Sequence, residues 1–565
     1  MKIRIQLNRQ EEGSALGHCL WMSMLVGMGA YSLLDLSTTR IRASHNRADY
    51  NEAFYHAENI LNWAAARIVD NANPVGTFTK EGGTLSLPYL STLGGSGFSG
   101  FSDGSVVISA LSNGVAKVYS VQASAKVGNK TRTLVATLRK EAPSHVFDYE
   151  YFLNNWGWWW GSSITGNGDN RSNWDFDFRY GPSVNGMVTA TGEISANGSP
   201  VNPFDAASVP LSGLAKSDPL TYLKDTSESL AMPNLKDLTY YSSLASTKGG
   251  TLKAGSTTIS AVHTNAAKPG IYLVGTDANP IEINGPVVIP GDVVISGKIT
   301  GIGTLYVGGN LYIAGDISYK NGPDFSTPPA TLASASQDSW VQNAVDAKKD
   351  LVAFAVRESV FGGNVNSTEW KAACYDPSSY GLKNVGNEAS LGADGILGTG
   401  DDGISYKDTN GDGVADSAWY DADGDGVVDS NYNYESLKMN SSRIATIDGY
   451  PTDSSTGSPV DFGTVASNNF NRMDGIFYCN HALALRSTKS GFIGNGAVIC
   501  RDEAMVFSGW LKFNYDPRIH SRYSADPNRY VDLGLPLANT IQILTLDEIV
   551  APLATASVSV SEGGQ

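Results

Sequence analysis

Two acidic segments between residues 408 and 429 are the strongest chemical signal in the chain. The first supplies Asp408, Asn410, Asp412 and Asp416, and thirteen residues later the second supplies Asp421, Asp423, Asp425 and Asp429. In each, oxygen-bearing side chains stand at loop positions 1, 3, 5 and 9, with a glycine at position 6. Oxygens that converge over a sharp turn suit a hard cation such as Ca²⁺. We therefore expect two structural calcium loops; the alternative is an acidic, solvated loop.

The loops differ from an EF-hand at one position. The bidentate glutamate expected at position 12 is replaced by Trp419 in the first loop and by Tyr432 in the second. The pattern instead resembles thrombospondin type 3-like or dockerin-like calcium loops, whose tandem copies share ligands. The preceding Asp394, Asp401 and Asp402 extend the acidic array. Calcium, as a structural cofactor, would make rigid a segment that otherwise repels itself.

Groups that could support catalysis are few. Arg501-Asp502-Glu503, Asp516-Pro517-Arg518 and His520 combine carboxylates with arginine, as polysaccharide lyases and glycosidases built on a β-helix do. Sequence does not show that these side chains converge, and charged residues at the corners of such folds are usually solvated. The chain has no phosphate-binding loop and no metalloprotease or serine-hydrolase motif. We therefore expect a protein that is not an enzyme, and keep a β-helix lyase or glycosidase as an alternative.

Composition limits the class of protein. The chain has 565 residues, with 40 Lys plus Arg against 56 Asp plus Glu and a net charge of −16, which argues against nucleic acid as a partner. The 61 glycines and only 17% charged residues favour short strands separated by turns, so we expect a mainly β fold. Four cysteines make no disulfide framework, and whether Cys479 and Cys500 pair is left open.

The N-terminus is typical of a membrane-anchored protein. Lys2, Arg4 and Arg9 precede an apolar run from Ser14 to Leu34, which is long enough to cross a bilayer as a helix. The basic flank places the N-terminus in the cytoplasm and the remainder outside. A cleaved signal peptide is disfavoured, because residues 33–36 offer no small-residue cleavage site.

The helical pattern continues beyond the apolar run. No glycine or proline interrupts residues 33–70. Apolar side chains recur there at three- and four-residue spacing: Tyr50, Phe54, Ala57, Leu61, Ala64, Ala65 and Ile68. This predicts one helix over residues 14–70, about 85 Å long at about 1.5 Å per residue.

Three segments of this region carry a family resemblance. They are Glu12-Gly13-Ser14-Ala15-Leu16, Ala43-Ser44-His45-Asn46 and Ala53-Phe54-Tyr55-His56-Ala57-Glu58. Together they resemble the N-terminal region of the PilX family of type IV pilus assembly proteins. The resemblance implies that a prepilin peptidase cleaves after Gly13 and leaves Ser14 as the mature N-terminus. His18 stands where major pilins have a glutamate, which favours a minor or initiating subunit.

Two features follow the helix. Alternating residues from Tyr119 to Val127 and from Leu134 to Leu138 flank Gly128-Asn129, and predict an antiparallel hairpin that packs on the end of the helix. Further on, Trp156, Trp158, Trp159 and Trp160 lie close together in sequence. We interpret the tryptophans as a core plug or cap, with a carbohydrate-binding platform as the alternative.

A six-residue repeat predicts the architecture of the body. Apolar side chains recur at strict six-residue steps at Val287, Val293, Ile299, Leu305, Leu311 and Ile317. A second series at the same steps consists of Ile289, Ile295, Gly301, Val307, Ile313 and Tyr319. Such a ladder is typical of short parallel strands stacked coil upon coil, a β-solenoid of the right-handed β-helix type. A plain antiparallel sandwich is the alternative.

These signals divide the chain into seven parts. We expect a leader (1–13), a transmembrane and amphipathic helix (14–70), a β-rich connection (71–150), a solenoid (151–334), an insertion with the calcium loops (335–474), C-terminal coils (475–550) and a flexible tail (551–565).

The parts together predict a type IV pilus or pseudopilus assembly component, a minor pilin, with its body outside the cell and one helix in the inner membrane. Its expected partners are other pilins, the prepilin peptidase and a surface or glycan ligand. A calcium-stabilised, membrane-anchored adhesin is the alternative.

Overall fold

The structure is a computed structural model of the chain. It describes residues 12–69, 84–88, 101–113, 117–140, 144–154, 156–230, 232–233, 235, 238–377, 382, 387–390, 403–406, 434–524, 526, 528–537 and 541–549. The fold is mainly β, with 38% strand and 27% helix, as predicted. Two compact units are present, which we call the first unit (residues 1–142 and 540–565) and the second unit (residues 143–539).

The described helices begin with α1 (Glu12–Val69). The other α-helices are Leu214–Ser217, Pro219–Tyr222, Leu238–Lys248, Ser334–Asp346, Thr368–Trp370, Tyr434–Leu437, Ser441–Ala445 and Phe462–Val465. Single turns of 3₁₀-helix are His145–Asp148, Pro329–Thr331, Pro517–Ile519 and Ser521–Tyr523, and Lys371–Tyr375 is a π-helical turn.

The described strands, in chain order, are β1 (Thr84–Pro88), β2 (Phe101–Asn113), β3 (Lys117–Val127), β4 (Lys130–Lys140), β5 (Tyr151–Leu153), β6 (Gly157–Trp160), β7 (Ile164–Asn167), β8 (Asn170–Ser172), β9 (Phe176–Arg179), β10 (Ser183–Val184), β11 (Val188–Ala190), β12 (Ile194–Ala196), β13 (Ser199–Pro200), β14 (Leu223–Lys224), β15 (Thr251–Ala254) and β16 (Thr257–Ser260). They continue as β17 (Gly270–Gly275), β18 (Ile281–Ile289), β19 (Val293–Thr300), β20 (Ile302–Val307), β21 (Leu311–Tyr319), β22 (Leu351–Val356), β23 (Val360–Gly362), β24 (Asn387–Ser390), β25 (Gly403–Tyr406), β26 (Ile447–Asp448), β27 (Arg472–Cys479), β28 (Ala482–Arg486), β29 (Phe492–Cys500), β30 (Glu503–Phe507), β31 (Leu511–Tyr515) and β32 (Ile541–Ile549).

The first unit is a long helix on an antiparallel sheet. The strand order is β1-β2-β3-β4-β32, and β3 and β4 form the predicted hairpin around Gly128-Asn129. Gly128 has a φ of +56°, a conformation that glycine adopts without the strain a side chain would bring. The helix α1 has 58 residues, which confirms the continuous helix predicted for residues 14–70.

The last strand does not join the coils that the sequence pattern predicted for its segment. β32 falls within residues 475–550, which we expected to be C-terminal coils, but it pairs antiparallel with β4 in the first unit. Its Ile541 lies opposite Lys140, and its Ile549 lies opposite Thr133. Backbone pairing across some 400 residues of chain leaves no local sequence signal, which is why the pattern did not reveal it.

The second unit is built from parallel ladders whose register follows the six-residue repeat. Val287 pairs with Leu305 and Val293 pairs with Leu311, in each case three six-residue steps further along the chain. These side chains are fully buried in one core cluster. A closed parallel barrel of six strands is present. The antiparallel sandwich does not describe this unit; a regular solenoid stays a prediction.

The alternate side chains of these strands, which lie on the other face of the sheet, are buried as well. Val288 and Tyr306 belong to a second cluster, and Val294 and Tyr312 to a third. A strand with both faces covered has a continuous apolar sequence, and β22, in which every residue is apolar and buried, is an example. Residues 351–362, which we expected in the insertion, therefore form β22 and β23 of the ladder.

The spatial order of strands in the second unit differs from their order in the chain. β5 pairs with β29 and β7 pairs with β31, so the first strands of this unit stack on its last ones. We call the junction of Tyr151–Leu153 with Val498–Cys500 the seam. The seam joins two segments that the sequence analysis had treated separately, the solenoid (151–334) and the C-terminal coils (475–550).

Candidate assembly helix and polar groups of the second unit

The amino-terminal half of α1 exposes large apolar side chains. Those that are half to three-quarters exposed are Leu20, Trp21, Met22, Met24, Leu25, Val26, Met28, Tyr31, Leu33, Leu34 and Leu36. Among the described residues this is the one helix long and apolar enough to cross a membrane, and the apolar window is unburied. Burying a large apolar side chain is worth about 1.5–3 kcal/mol. This half of the helix is therefore suited to lipid or to other helices.

The carboxyl-terminal half of α1 has a different environment. Ala57, Leu61, Ala64 and Ile68 are buried against the sheet, at the spacing that the sequence predicted. The facing sheet residues include Val106, Ile108, Tyr119, Val121, Ala123, Ala125, Leu134, Ala136 and Leu138. Alanines on both sides let the helix approach the strands closely. One continuous helix thus carries an uncovered apolar half and a half that is anchored in the sheet.

Arg132 ties α1 to the two last strands of the sheet. Its guanidinium carbon lies 3.5 Å from the centroid of the Tyr50 ring and 5.8 Å from that of Phe54. The same guanidinium forms an ion pair with Glu548 of β32. The side chain of Arg132 is 7% exposed and that of Glu548 is 28% exposed, so the cation itself is largely covered by its neighbours.

The predicted processing residues lie at the start of α1. Gly13 and Ser14 are in its first turns, and His18 follows on the same helix. Asp35, Arg40 and Arg42 come after the apolar run and are exposed. The change from apolar to charged side chains therefore falls within unbroken helix.

The predicted calcium loops lie outside the described residues. This holds for Asp408, Asn410, Asp412, Asp416, Asp421, Asp423, Asp425 and Asp429. Within the part of the chain that the structure does describe, no group of three or more His, Cys, Asp or Glu side chains could hold a metal ion.

The polar residues between positions 501 and 520, which the sequence suggested as a catalytic group, contact different parts of the fold. Asp516 and Arg518 form a buried ion pair at 2.7 Å, and Arg518 also donates to the backbone carbonyls of Lys349 and Asp350 at 2.8 Å. Burial acts to lower the pKa of Arg518, but the Asp516 carboxylate that pairs with it outweighs burial, and the pKa is raised. This arginine is a buried structural cation that closes a loop.

The two carboxylates next to Arg501 face different partners. Asp502 bonds to the buried His481, while Glu503 accepts a hydrogen bond from the Trp158 indole at 2.6 Å. Their side chains are almost fully buried. Asp502 and Glu503 are thus not brought together at one open cleft.

A row of hydrogen-bonded polar side chains crosses neighbouring strands of the second unit. The sequence pattern did not predict it. Asn185 donates to Asn167 at 3.0 Å, Asn167 to Asn514 at 2.9 Å, Asn514 to Asn495 at 2.8 Å and Asn495 to Asp474 at 2.7 Å. We call these residues the asparagine ladder. The amides of Asn167, Asn514 and Asn495 each both donate and accept, so the ladder satisfies buried polar groups on strands that are far apart in the chain.

The tryptophans take two environments. Trp159 is 3% exposed and packs in the core against Phe178 and Phe513. Trp158 and Trp160 are half-buried, with ring centroids 4.9 Å apart. The core-plug interpretation describes Trp159.

Cys479 and Cys500 lie directly opposite each other in β27 and β29, and both are buried free thiols. The two thiols interact, and burial raises the pKa of Cys500 well above its usual range. The fold thus brings the two cysteines together without a disulfide.

Comparisons with known proteins include a similarity to a solved structure. No family model matches the chain, and no curated protein matches it. Among solved structures, the competence-associated pilin ComZ from Thermus thermophilus is similar, with 10% identity, coverage of 89% of this chain and 97% of that one, and a TM-score of 0.27. At this TM-score the similarity supports no conclusion about fold or function.

Proposed function

We propose that this chain is a minor pilin-like subunit of a type IV pilus or related pseudopilus. The observation that carries the proposal is the division of α1 into an exposed apolar half and a half buried on an antiparallel sheet. The apolar half holds the subunit in the inner membrane and then packs against the helices of other pilins. The second unit stays outside the cell, and its role is structural or adhesive rather than catalytic.

The second unit is, in this proposal, a β-solenoid displayed by the pilus. Pairing at three six-residue steps supports coils with three sides. The asparagine ladder adds support, because a polar side chain repeated at one register position of stacked parallel strands satisfies its neighbours above and below. A bulky body of this kind suits a tip or low-copy position better than the repeating shaft of a filament.

Surface fractionation tests the role. Filaments sheared from cells should contain the chain at low copy, and deletion should reduce the number of filaments. Restoring the intact gene should recover both, whereas a gene that encodes Leu25→Asp should not. If the chain stays entirely in the membrane fraction of cells that still make normal filaments, the adhesin alternative replaces the pilin proposal.

Calcium binding by the two acidic loops is part of the proposal and is supported by sequence spacing alone. Calorimetric titration of the calcium-free chain with Ca²⁺ should show saturable binding. The paired variant Asp412→Asn with Asp425→Asn should weaken it, whereas Asp453→Asn, a change at an exposed turn outside the loops, should not. Identical titrations for all three would exclude these loops.

A further inference from the structure

Glu150 occupies a position in the seam that no part of the proposed function explains. Its backbone N–H donates to the Asp169 carbonyl at 2.7 Å, and its own carbonyl accepts from the Val498 N–H at 2.8 Å. The residue therefore stands between the first and the last strands of the second unit. Its side chain is 1% exposed.

The space around this side chain is built from glycines. A methyl group added at Gly168 would lie 2.6 Å from Cβ of Glu150 and 2.7 Å from one of its carboxyl oxygens. Gly475 and Gly496 line a small cavity that Glu150 also lines, with a volume of about 10 Å³. That is room for about one water molecule. The missing side chain of Gly168 thus leaves room for the Glu150 side chain, and the small cavity lies beside that side chain.

The surroundings of the Glu150 carboxylate offer few hydrogen bonds to offset the free-energy cost of burying it. Neither oxygen has a hydrogen-bond partner of good geometry among the described residues. Most of the lining is apolar, including Met473, Phe477 and Phe513. Asn495 and Asn514 also reach the cavity, but their amides are engaged in the asparagine ladder.

The charged surroundings also disfavour an anion. Burial raises the pKa of Glu150 well above its usual range, and the nearby carboxylate of Asp169 raises it further. The Asn167 backbone N–H opposes this rise only in part. Asp169 is itself mostly buried, and its pKa is raised as well, although the Met187 N–H and Arg522 counteract this. Tyr515, beside Gly168, is buried and adds no positive charge.

We propose that Glu150 is the proton-binding residue of a pH-sensitive seam. In its acid form it lies uncharged beside the glycine-lined cavity and lets β5 stack on β29. Loss of the proton places a desolvated anion beside Asp169, and the seam loosens. Because folding raises this pKa, the native state keeps a proton that the unfolded chain has released. The free energy of unfolding therefore falls as the pH rises from the ordinary pKa of a glutamate toward the raised pKa.

The test uses the full chain and three variants. Glu150→Gln and Glu150→Met cannot ionise, and Glu228→Gln changes an exposed carboxylate of the same unit as a control. From about pH 5 to about pH 9, the wild type and the control should lose stability relative to the two Glu150 variants, by up to about tenfold in the unfolding constant per pH unit. Hydrogen exchange should locate the effect at β5 and β8.

Two results would overturn the proposal. One is the same pH profile for the wild type and a folded Glu150 variant. The other is stabilisation of the wild-type seam at neutral pH by Ca²⁺ or Na⁺, which would make the cavity a cation site. Should neither variant fold, infrared spectroscopy of the wild type still decides, because the proposal requires a buried protonated carboxyl band that persists above the ordinary pKa of a glutamate and disappears at higher pH.

Discussion

The guanidinium carbon of Arg132 lies 3.5 Å from the centroid of the Tyr50 ring. Tyr50 belongs to α1, and Arg132 also pairs with Glu548 in the last strand of the sheet. A single side chain therefore connects the helix, β4 and a strand contributed by the far end of the sequence. This connection makes the C-terminal strand part of the base on which the assembly helix rests.

Replacing Arg132 with methionine should loosen β32. The change removes the cation from the Tyr50 ring and leaves Glu548 without its partner, for a cost of about 1–3 kcal/mol. Hydrogen exchange should accelerate in residues 541–549 and much less within the second unit. Arg139→Met, a change at a less buried arginine of the same strand, is the control. Equal protection of β32 in both variants would show that Arg132 does not hold it.

Asn495→Leu should destabilise the second unit. It leaves Asp474 and Asn514 each without one hydrogen bond in a buried site, at about 1–3 kcal/mol for each group. Urea unfolding followed by tryptophan fluorescence measures the change. Asn343→Ala, on an exposed helix surface, should leave the transition unmoved. If the asparagine ladder contributes nothing to stability, the two variants will unfold at the same urea concentration.

The sequence predicted the parts of this architecture whose signal is local. Apolar side chains at three-, four- and six-residue spacing located α1 and the ladder from Val287 to Ile317. The seam and the asparagine ladder were not predicted, since residues such as Asn167 and Asn514 are far apart in the chain and only stacking brings them together. A weak signal existed, because Asp474, Asn495, Asn167 and Asn185 are each followed by glycine.

The extent of the insertion was also misjudged. Helical spacing in Ser334–Asp346 suggested that the non-ladder segment had already begun, although the apolar run of β22 carries both the inward and the outward side chains of a buried strand. Periodicity alone does not separate a fully buried strand from a short buried helix. The calcium loops rest on spacing only, and they lie outside the described residues.

Leu25→Asp should impair membrane retention. A charged side chain at the centre of an inserted helix costs about 2.5–3.5 kcal/mol. Leu25 is 55% exposed, so the change should barely affect folding of the sheet to which the other half of α1 is bound. Membrane flotation measures the effect, with Tyr55→Asp, an exposed site in the anchored half, as the control. Equal flotation of both variants would contradict the assignment of the apolar half to lipid.

His520 should contribute to acid sensitivity of the second unit. Burial lowers its pKa below the ordinary 6.5, although Asp148, 3.2 Å away, opposes this. A lowered histidine pKa means that stability is lost as pH falls through about 6.5, because the unfolded chain then binds more protons. His520→Gln should flatten this part of the stability profile. An imidazole titration by NMR with a midpoint above 6.5 would contradict the prediction.

The central claim is that the chain is processed and assembled as a pilin-class subunit. The most direct measurement is the N-terminal sequence and intact mass of the protein from cells with and without the prepilin peptidase. We expect a start at Ser14 only when the peptidase is present, and retention of residues 1–13 when it is absent. A start at Met1 in both strains, or cleavage beyond Leu34, would contradict the account.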